Sequence, residues 1–151
     1  MSIVVIRGPA KTPCGASGSL TPSLHPAVIA SLVDSATSAG KSLSIRSCAC
    51  VSELVDAIAL LDRERPEVVL VEPGAGLDDA RVHAALRALH VPFVEIHGDP
   101  PDAREAELHD PPPNRLGVVH GFMAQGFTLG MAWALDHLGC ADCGSRYHVG
   151  T

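Results

Sequence analysis

The chain has 151 residues, a net charge of -6, 46% apolar and 19% charged residues, and only 3% aromatics. That composition excludes a disordered chain and fits one domain with an aliphatic core of Val, Leu, Ile and Ala. The acidic balance argues against nucleic acid or an anionic membrane as the main partner, and no apolar run reaches the about 18 residues of a membrane helix.

In chain order, "IVVI" (3–6) reads as a buried strand, broken at once by Arg7, Gly8 and Pro9, so it is not the apolar core of a signal peptide. Residues 7–25 are rich in Gly, Pro, Ser and Thr and read as a long loop. A helix is predicted from Pro26, at the first helical position, to Gly40, a C-terminal stop signal. "SLSIR" (42–46) is a second strand. "VSELVDAIALLDRE" (51–64) places Leu54, Ile58 and Leu61 on one helical face, with Ser52 as a candidate cap. "EVVLV" (67–71) is a third strand. It runs through Glu72 and the turn Pro73–Gly74–Ala75–Gly76 to a helix from about Asp79 to Leu89. "PFVEI" (92–96) is a fourth strand, followed by a polar, proline-rich loop (97–114). "GVVH" (117–120) is a short fifth strand, and a last helix covers 122–139. A tail (140–151) follows the α/β domain of residues 1–139.

Continuous apolar strands alternating with helices mark a parallel sheet covered on both faces. The predicted fold class is α/β, a flavodoxin-like, doubly wound five-stranded sheet. In such sheets ligands bind beyond the carboxyl ends of the strands. That rule gathers Arg7–Gly8–Pro9, Arg46–Ser47–Cys48, Glu72–Pro73–Gly74 and His97–Gly98–Asp99 onto one rim.

Those rim residues are the candidate site. His97 can serve as an acid, a base or a hydrogen-bond donor, or can simply be satisfied by backbone. Arg104, in "DAREAELHD", either clamps an anionic ligand or pairs with Glu105 or Glu107 on a solvated helix. Asp79 is read as the cap of the third helix. Glu72 follows four apolar residues, so it faces the cleft or has a partner, because burying it unpaired is expensive. Glu72, Asp78 and His97 are the candidate catalytic groups. Arg7, Ser47, Gly74, Asp99 and Arg104 are the candidate substrate-binding groups.

There is no phosphate loop or dinucleotide fingerprint, and Trp133 and Tyr147 are the only large polar aromatics. No nucleotide, flavin or other cofactor is expected. The five cysteines are an odd number and fit a reduced, cytoplasmic protein. The Cys140–Cys143 pair is half of a zinc or redox motif, and the second candidate, Cys48 with Cys50, has the wrong spacing for the other half. No metal site is assigned.

Taken together, the rim segments resemble the type II dehydroquinase (3-dehydroquinate dehydratase) family, over roughly residues 3–138. "IRGPA" keeps Gly8 and Pro9 of the family's N-G-P-N; "RSCACV" keeps Ser47; "EPGAGLD" keeps Pro73, Gly74 and Ala75 of N-P-G-A-Y-T-H. "PFVEIHGDPPDARE" keeps Pro92, Val94, Glu95, His97, Arg104 and Glu105. "GVVHGFMAQGFTLGMAWAL" keeps Gly117, Gly121, Phe122, Gly126 and Leu129 of G-V-I-x-G-F-G-x-x-G-Y-x-L-A-L. The resemblance implies a flavodoxin-like fold, a small-molecule substrate bound in part by His97 and Arg104, and a homo-oligomer, trimer or dodecamer.

It also implies a lid arginine, a tyrosine base, a water-holding asparagine and an acid histidine, and here the sequence departs. The lid "AKTPCGASGSLTPS" has neither tyrosine nor arginine, and Lys11 is its one cation. Glu72 stands at the asparagine, Gly76 at the aromatic position, and Leu77 or Asp78 at the histidine. Leu108 stands where a second arginine would follow Arg104. Losing a general acid and a general base costs about 10²–10⁴-fold each, so ordinary dehydroquinate dehydration is not expected.

Two functions compete. In a repurposed enzyme, Glu72 with Asp78 or Asp79 supplies new acid/base groups beside a carbonyl, which suits elimination, isomerisation or cyclisation in specialised metabolism. In an inactive homologue kept for binding or assembly, the acids make only structural contacts and lid residues such as Leu20 or Leu24 fill the pocket. A weaker third option is a metal module built from the carboxylates and His97, or from the cysteines.

Overall fold

The computed structural model describes residues 1–10, 23–98, 111–121 and 125–140. Five strands, β1 (Ser2–Arg7), β2 (Ser42–Ser47), β3 (Val68–Glu72), β4 (Phe93–His97) and β5 (Arg115–His120), form one parallel sheet in the order β2-β1-β3-β4-β5. Four helices connect or flank them: α1 (Pro26–Ser38), α2 (Val51–Glu64), α3 (Ala80–Ala88) and α4 (Gln125–His137). This is the flavodoxin-like strand order expected from the sequence.

The three inner strands, β1, β3 and β4, are buried on both faces, while the edge strands β2 and β5 are only partly covered. The alternate residues of the inner strands feed two cores. Ile3, Val5, Leu70, Val94 and Ile96 pack with Leu32 and Ala36 of α1 and Phe127, Met131 and Ala134 of α4. Val4, Ile6, Val69, Val71 and Phe93 pack on the other side with Leu54, Ile58 and Leu61 of α2 and Val82 and Leu86 of α3. Each such leucine or isoleucine, fully buried, contributes about 1.5–3 kcal/mol relative to exposure.

Element ends differ from the sequence expectation in instructive ways. Arg7, Glu72 and His97 are the last residues of their strands rather than the first residues beyond them. The α2 cap is Cys50 and makes no side-chain cap bond; Ser52 lies inside the first turn, so its hydroxyl is not at the capping position. Glu53 instead accepts the Ala49 N–H at 2.7 Å. Asp79 does cap α3, accepting from Arg81 N at 2.8 Å. A register shift between Phe93 and Val94 lets β5 begin at Arg115, ahead of the predicted Gly117. Phe122 and the tail after Cys140 lie outside the described residues.

Candidate active site

The ends of β1 and β3 are locked together by backbone. Gly8 N donates to Glu72 O at 2.7 Å and Ala75 N donates to Pro9 O at 2.8 Å. Two glycines make this approach achievable. A Cβ on Gly8 would collide with the Pro73 carbonyl, and one on Gly74 with the Pro9 carbonyl; Gly74 also has φ +57°, which disfavours any other residue. The Pro73–Gly74 turn is thus a scaffold element that places Glu72 at the cleft.

Glu72 has a partner. Arg7 and Glu72 are register neighbours across β1 and β3, and Arg7 Nη2 donates to Glu72 Oε1 at 3.2 Å, with side chains 8% and 16% exposed. The Arg7 guanidinium also lies over the Phe127 ring, 5.4 Å from its centroid, a cation–π contact across the sheet end.

A second polar cluster lies on β4 and β5. Glu95 and His97, two apart on one strand, share a face. His97 Nε2 pairs with Glu95 Oε2 at 3.0 Å, and Arg115 Nη1 donates to Glu95 Oε1 at 3.4 Å. The His97 ring stacks on that of His120, with centroids 5.0 Å apart and planes 16° from parallel. Burial pushes the Glu95 carboxyl up, but the His97 hydrogen bond and the Arg115 charge outweigh it and hold Glu95 below the ordinary carboxylate range. Glu95 therefore stands as a carboxylate, an acceptor for the Nε2 edge of His97, which leaves Nδ1 as the ring nitrogen not engaged by Glu95.

His97 is the wall shared by two cavities. One, of about 140 Å³, is lined by Pro9, Ala10, Glu72, Gly74, Ile96, His97 and Gly98. The other, of about 260 Å³, lies between α3 and the β4–β5 floor; Glu95, Arg115, His120, His83 and Arg87 supply its polar groups.

The structure thus brings Glu72, Gly74 and His97 to one cavity and sets Arg7 behind Glu72. Ser47 is Arg7's neighbour on β2 but lines neither cavity. Asp78 is exposed and lines neither, whereas Leu77 lines the larger one. Leu24 is buried in the α1–α4 core instead of filling a cavity. Asp99, Arg104, Lys11 and Leu20 lie outside the described residues. Among the described residues no cluster of three or more His, Cys, Asp or Glu could hold a metal ion, and Cys48, Cys50 and Cys140 are free thiols. Sequence reasoning had not assigned Glu95, Arg115 or His120 to the site. The signal available for Glu95 was an acid inside an apolar strand, two residues from the candidate histidine.

No protein-family model matches the chain. Curated relatives do. The 3-dehydroquinate dehydratase of Xylella fastidiosa (strain 9a5c) is 31% identical over 117 residues, covering 76% of this chain and 79% of that one. The chain belongs to the type II dehydroquinase family. The dehydroquinase of Xanthomonas oryzae pv. oryzae is likewise 31% identical, over 114 residues, 74% of this chain and 77% of that one. The crystal structure of type II dehydroquinase from Propionibacterium acnes superposes with a TM-score of 0.64 at 20% identity, covering 89% of this chain and 98% of that one. A 3-dehydroquinate dehydratase-like protein from Bifidobacterium longum gives 0.62 at 16% identity, over 91% and 98%. These two likenesses support the dehydroquinase fold described above.

Proposed function

We propose that this dehydroquinase-family chain is an acid/base enzyme acting beside a carbonyl of a small molecule. Its chemistry is that of a lyase or dehydratase, an isomerase or a cyclase, other than ordinary 3-dehydroquinate dehydration. The observation that carries this reading is that Glu72 and His97 line the same cavity, of about 140 Å³, at the carboxyl ends of the strands. His97 is oriented for the work: Glu95 holds Nε2, which leaves Nδ1 to exchange a proton. The departures from the family pattern support a changed substrate, since the lid lacks tyrosine and arginine and the asparagine position is an ion-paired glutamate. In this reading Arg7 holds Glu72, Gly74 lets a ligand approach backbone, and Asp99 and Arg104 bind its anionic or hydroxyl groups. The reading extends to a cytoplasmic homo-oligomer, trimer or dodecamer, serving specialised metabolism; light scattering tests the assembly.

The test is turnover. Purified protein is offered 3-dehydroquinate and a panel of small hydroxy- and keto-acids. We expect no dehydration of 3-dehydroquinate at a rate near the ordinary enzymic value of about 10 s⁻¹, and conversion of another compound that Glu72→Gln and His97→Ala abolish. Ordinary dehydroquinase turnover would overturn the changed reaction, and unaffected variants would overturn the site.

One observation favours a second reading, an inactive homologue used for binding or assembly. Glu72 has a largely buried partner in Arg7, so it has a structural role even without chemistry. In that case Glu72→Gln changes stability while no compound in the panel is turned over.

A further inference from the structure

We infer that His120 is a positioning residue for His97: its ring backs the imidazole and keeps it on Glu95, so that one tautomer is held at the proposed site. The inference rests on reading His97 as the acid/base group of the proposed site.

Three constraints meet at His97. Its backbone is tied at the end of β4, where Gly121 N donates to His97 O at 3.0 Å and where His120 is its register neighbour on β5. Its Nε2 edge is held by Glu95, whose other oxygen is held by Arg115, also on β5. One ring face is covered by His120, at a separation and tilt typical of stacked aromatic pairs. The first constraint leaves both side-chain torsions free. The second fixes an edge but allows the ring to swing about the hydrogen bond. The stack bears directly on the ring plane.

The consequence is chemical. An ionised Glu95 selects the Nε2–H tautomer only while Nε2 stays within reach. If the ring swings away, the proton redistributes between the nitrogens and Nδ1 is no longer reliably basic. His120 lines the larger cavity and not the smaller one, so it acts from behind His97 without meeting whatever occupies the Glu72 side. The family pattern G-V-I-x-G leaves the position of His120 open. The support comes from the neighbouring strand, at a position that the pattern does not prescribe.

The readout is the His97 tautomer, measured on whole protein with labelled imidazole nitrogens by long-range proton–nitrogen correlation in mildly alkaline solution. The wild-type ring should show two well-separated nitrogen signals, with Nε2 protonated. In His120→Ala the ratio of Nε2–H to Nδ1–H tautomers should fall about three- to tenfold, the worth of a stacked pair. His120→Phe, which keeps a flat ring, should retain the wild-type ratio. His120→Leu, which keeps bulk without a ring plane, should behave as Ala does and stands in should Ala not fold. A ratio unchanged in both Ala and Leu variants would overturn the inference, as would an equal fall in Phe. Since no turnover is involved, failure here leaves the proposed reaction standing. Failure of the His97→Ala activity test would remove the acid/base role while leaving the measured tautomer preference in place, so the two failures are told apart.

Discussion

Arg7 and Glu72 close the base of the cleft as a cross-strand ion pair, 3.2 Å between Nη2 and Oε1, at the positions where the family pattern has asparagines. The two departures are complementary: each would leave a poorly solvated charge without the other. Removing one partner of such a pair is costly because the survivor stays poorly solvated. Glu72→Gln should therefore destabilise the protein by about 3 kcal/mol, toward the lower end of the range for buried pairs because Glu72 still reaches the cavity. The double variant Arg7→Met with Glu72→Gln should cost less than the sum of the singles. Urea unfolding of the four proteins measures the coupling, and strict additivity would show that the pair contributes nothing.

Glu95 links stability to pH. Its folded-state carboxyl titrates below its unfolded value, so the unfolded chain binds the proton more readily in acid. The stabilisation is therefore fully present above the unfolded value, about pH 4.3 for a glutamate, and is lost as pH falls through the lower folded value. Glu95→Gln should be clearly less stable than wild type at neutral pH, with the gap narrowing as acid is added below about pH 4.3. Melting curves at several pH values check this; a gap that widens in acid would contradict the assigned direction.

Much of the scaffold was legible in the sequence because the inner strands are continuous apolar runs and the helices show an apolar face or a terminal signal. Leu54, Ile58 and Leu61 gave the α2 face, and Asp79 gave the α3 cap. Pairings between distant strands were not legible. Arg7 meets Glu72 only because β1 lies between β2 and β3, and His97 meets His120 only through the register that follows the irregularity at Phe93 and Val94. Glu95 was passed over for a similar reason. Alternation puts it beside His97, but nothing in the chain says that Arg115 arrives from the next strand to make its burial tolerable.

Gly74 is predicted to be irreplaceable on conformational and steric grounds together. Its φ of +57° lies in the left-handed region, which costs an ordinary residue about 1–2 kcal/mol, and a Cβ would press on the Pro9 carbonyl that receives the Ala75 hydrogen bond. Gly74→Ala should lower the melting temperature by about 2–8 °C through the backbone cost alone, and further through the clash with the Pro9 carbonyl. Because it separates the β1 and β3 ends, ligand binding in the small cavity should weaken further than the stability loss alone explains. A melting temperature unchanged in Gly74→Ala would show that the two loop ends are not interlocked as described.

Trp133, the single tryptophan, reports on β5 packing. It is 42% exposed, and its ring lies so close to Gly117 that a Cβ there would collide with the six-membered ring. Gly117 is the β5 residue opposite Val94, two strands from Glu72, and lines neither cavity, so a change there tests the support that β5 gives to β4. Gly117→Ala must displace the indole into water. Its fluorescence should move to longer wavelength and become more accessible to iodide, and stability should fall by about 1–3 kcal/mol, the usual cost of overpacking. The same variant should loosen His97, because β5 carries both Arg115 and His120 to their partners on β4. An emission spectrum identical to wild type would mean that the Trp133 ring does not rest on Gly117, and would remove this link between α4 and the candidate site.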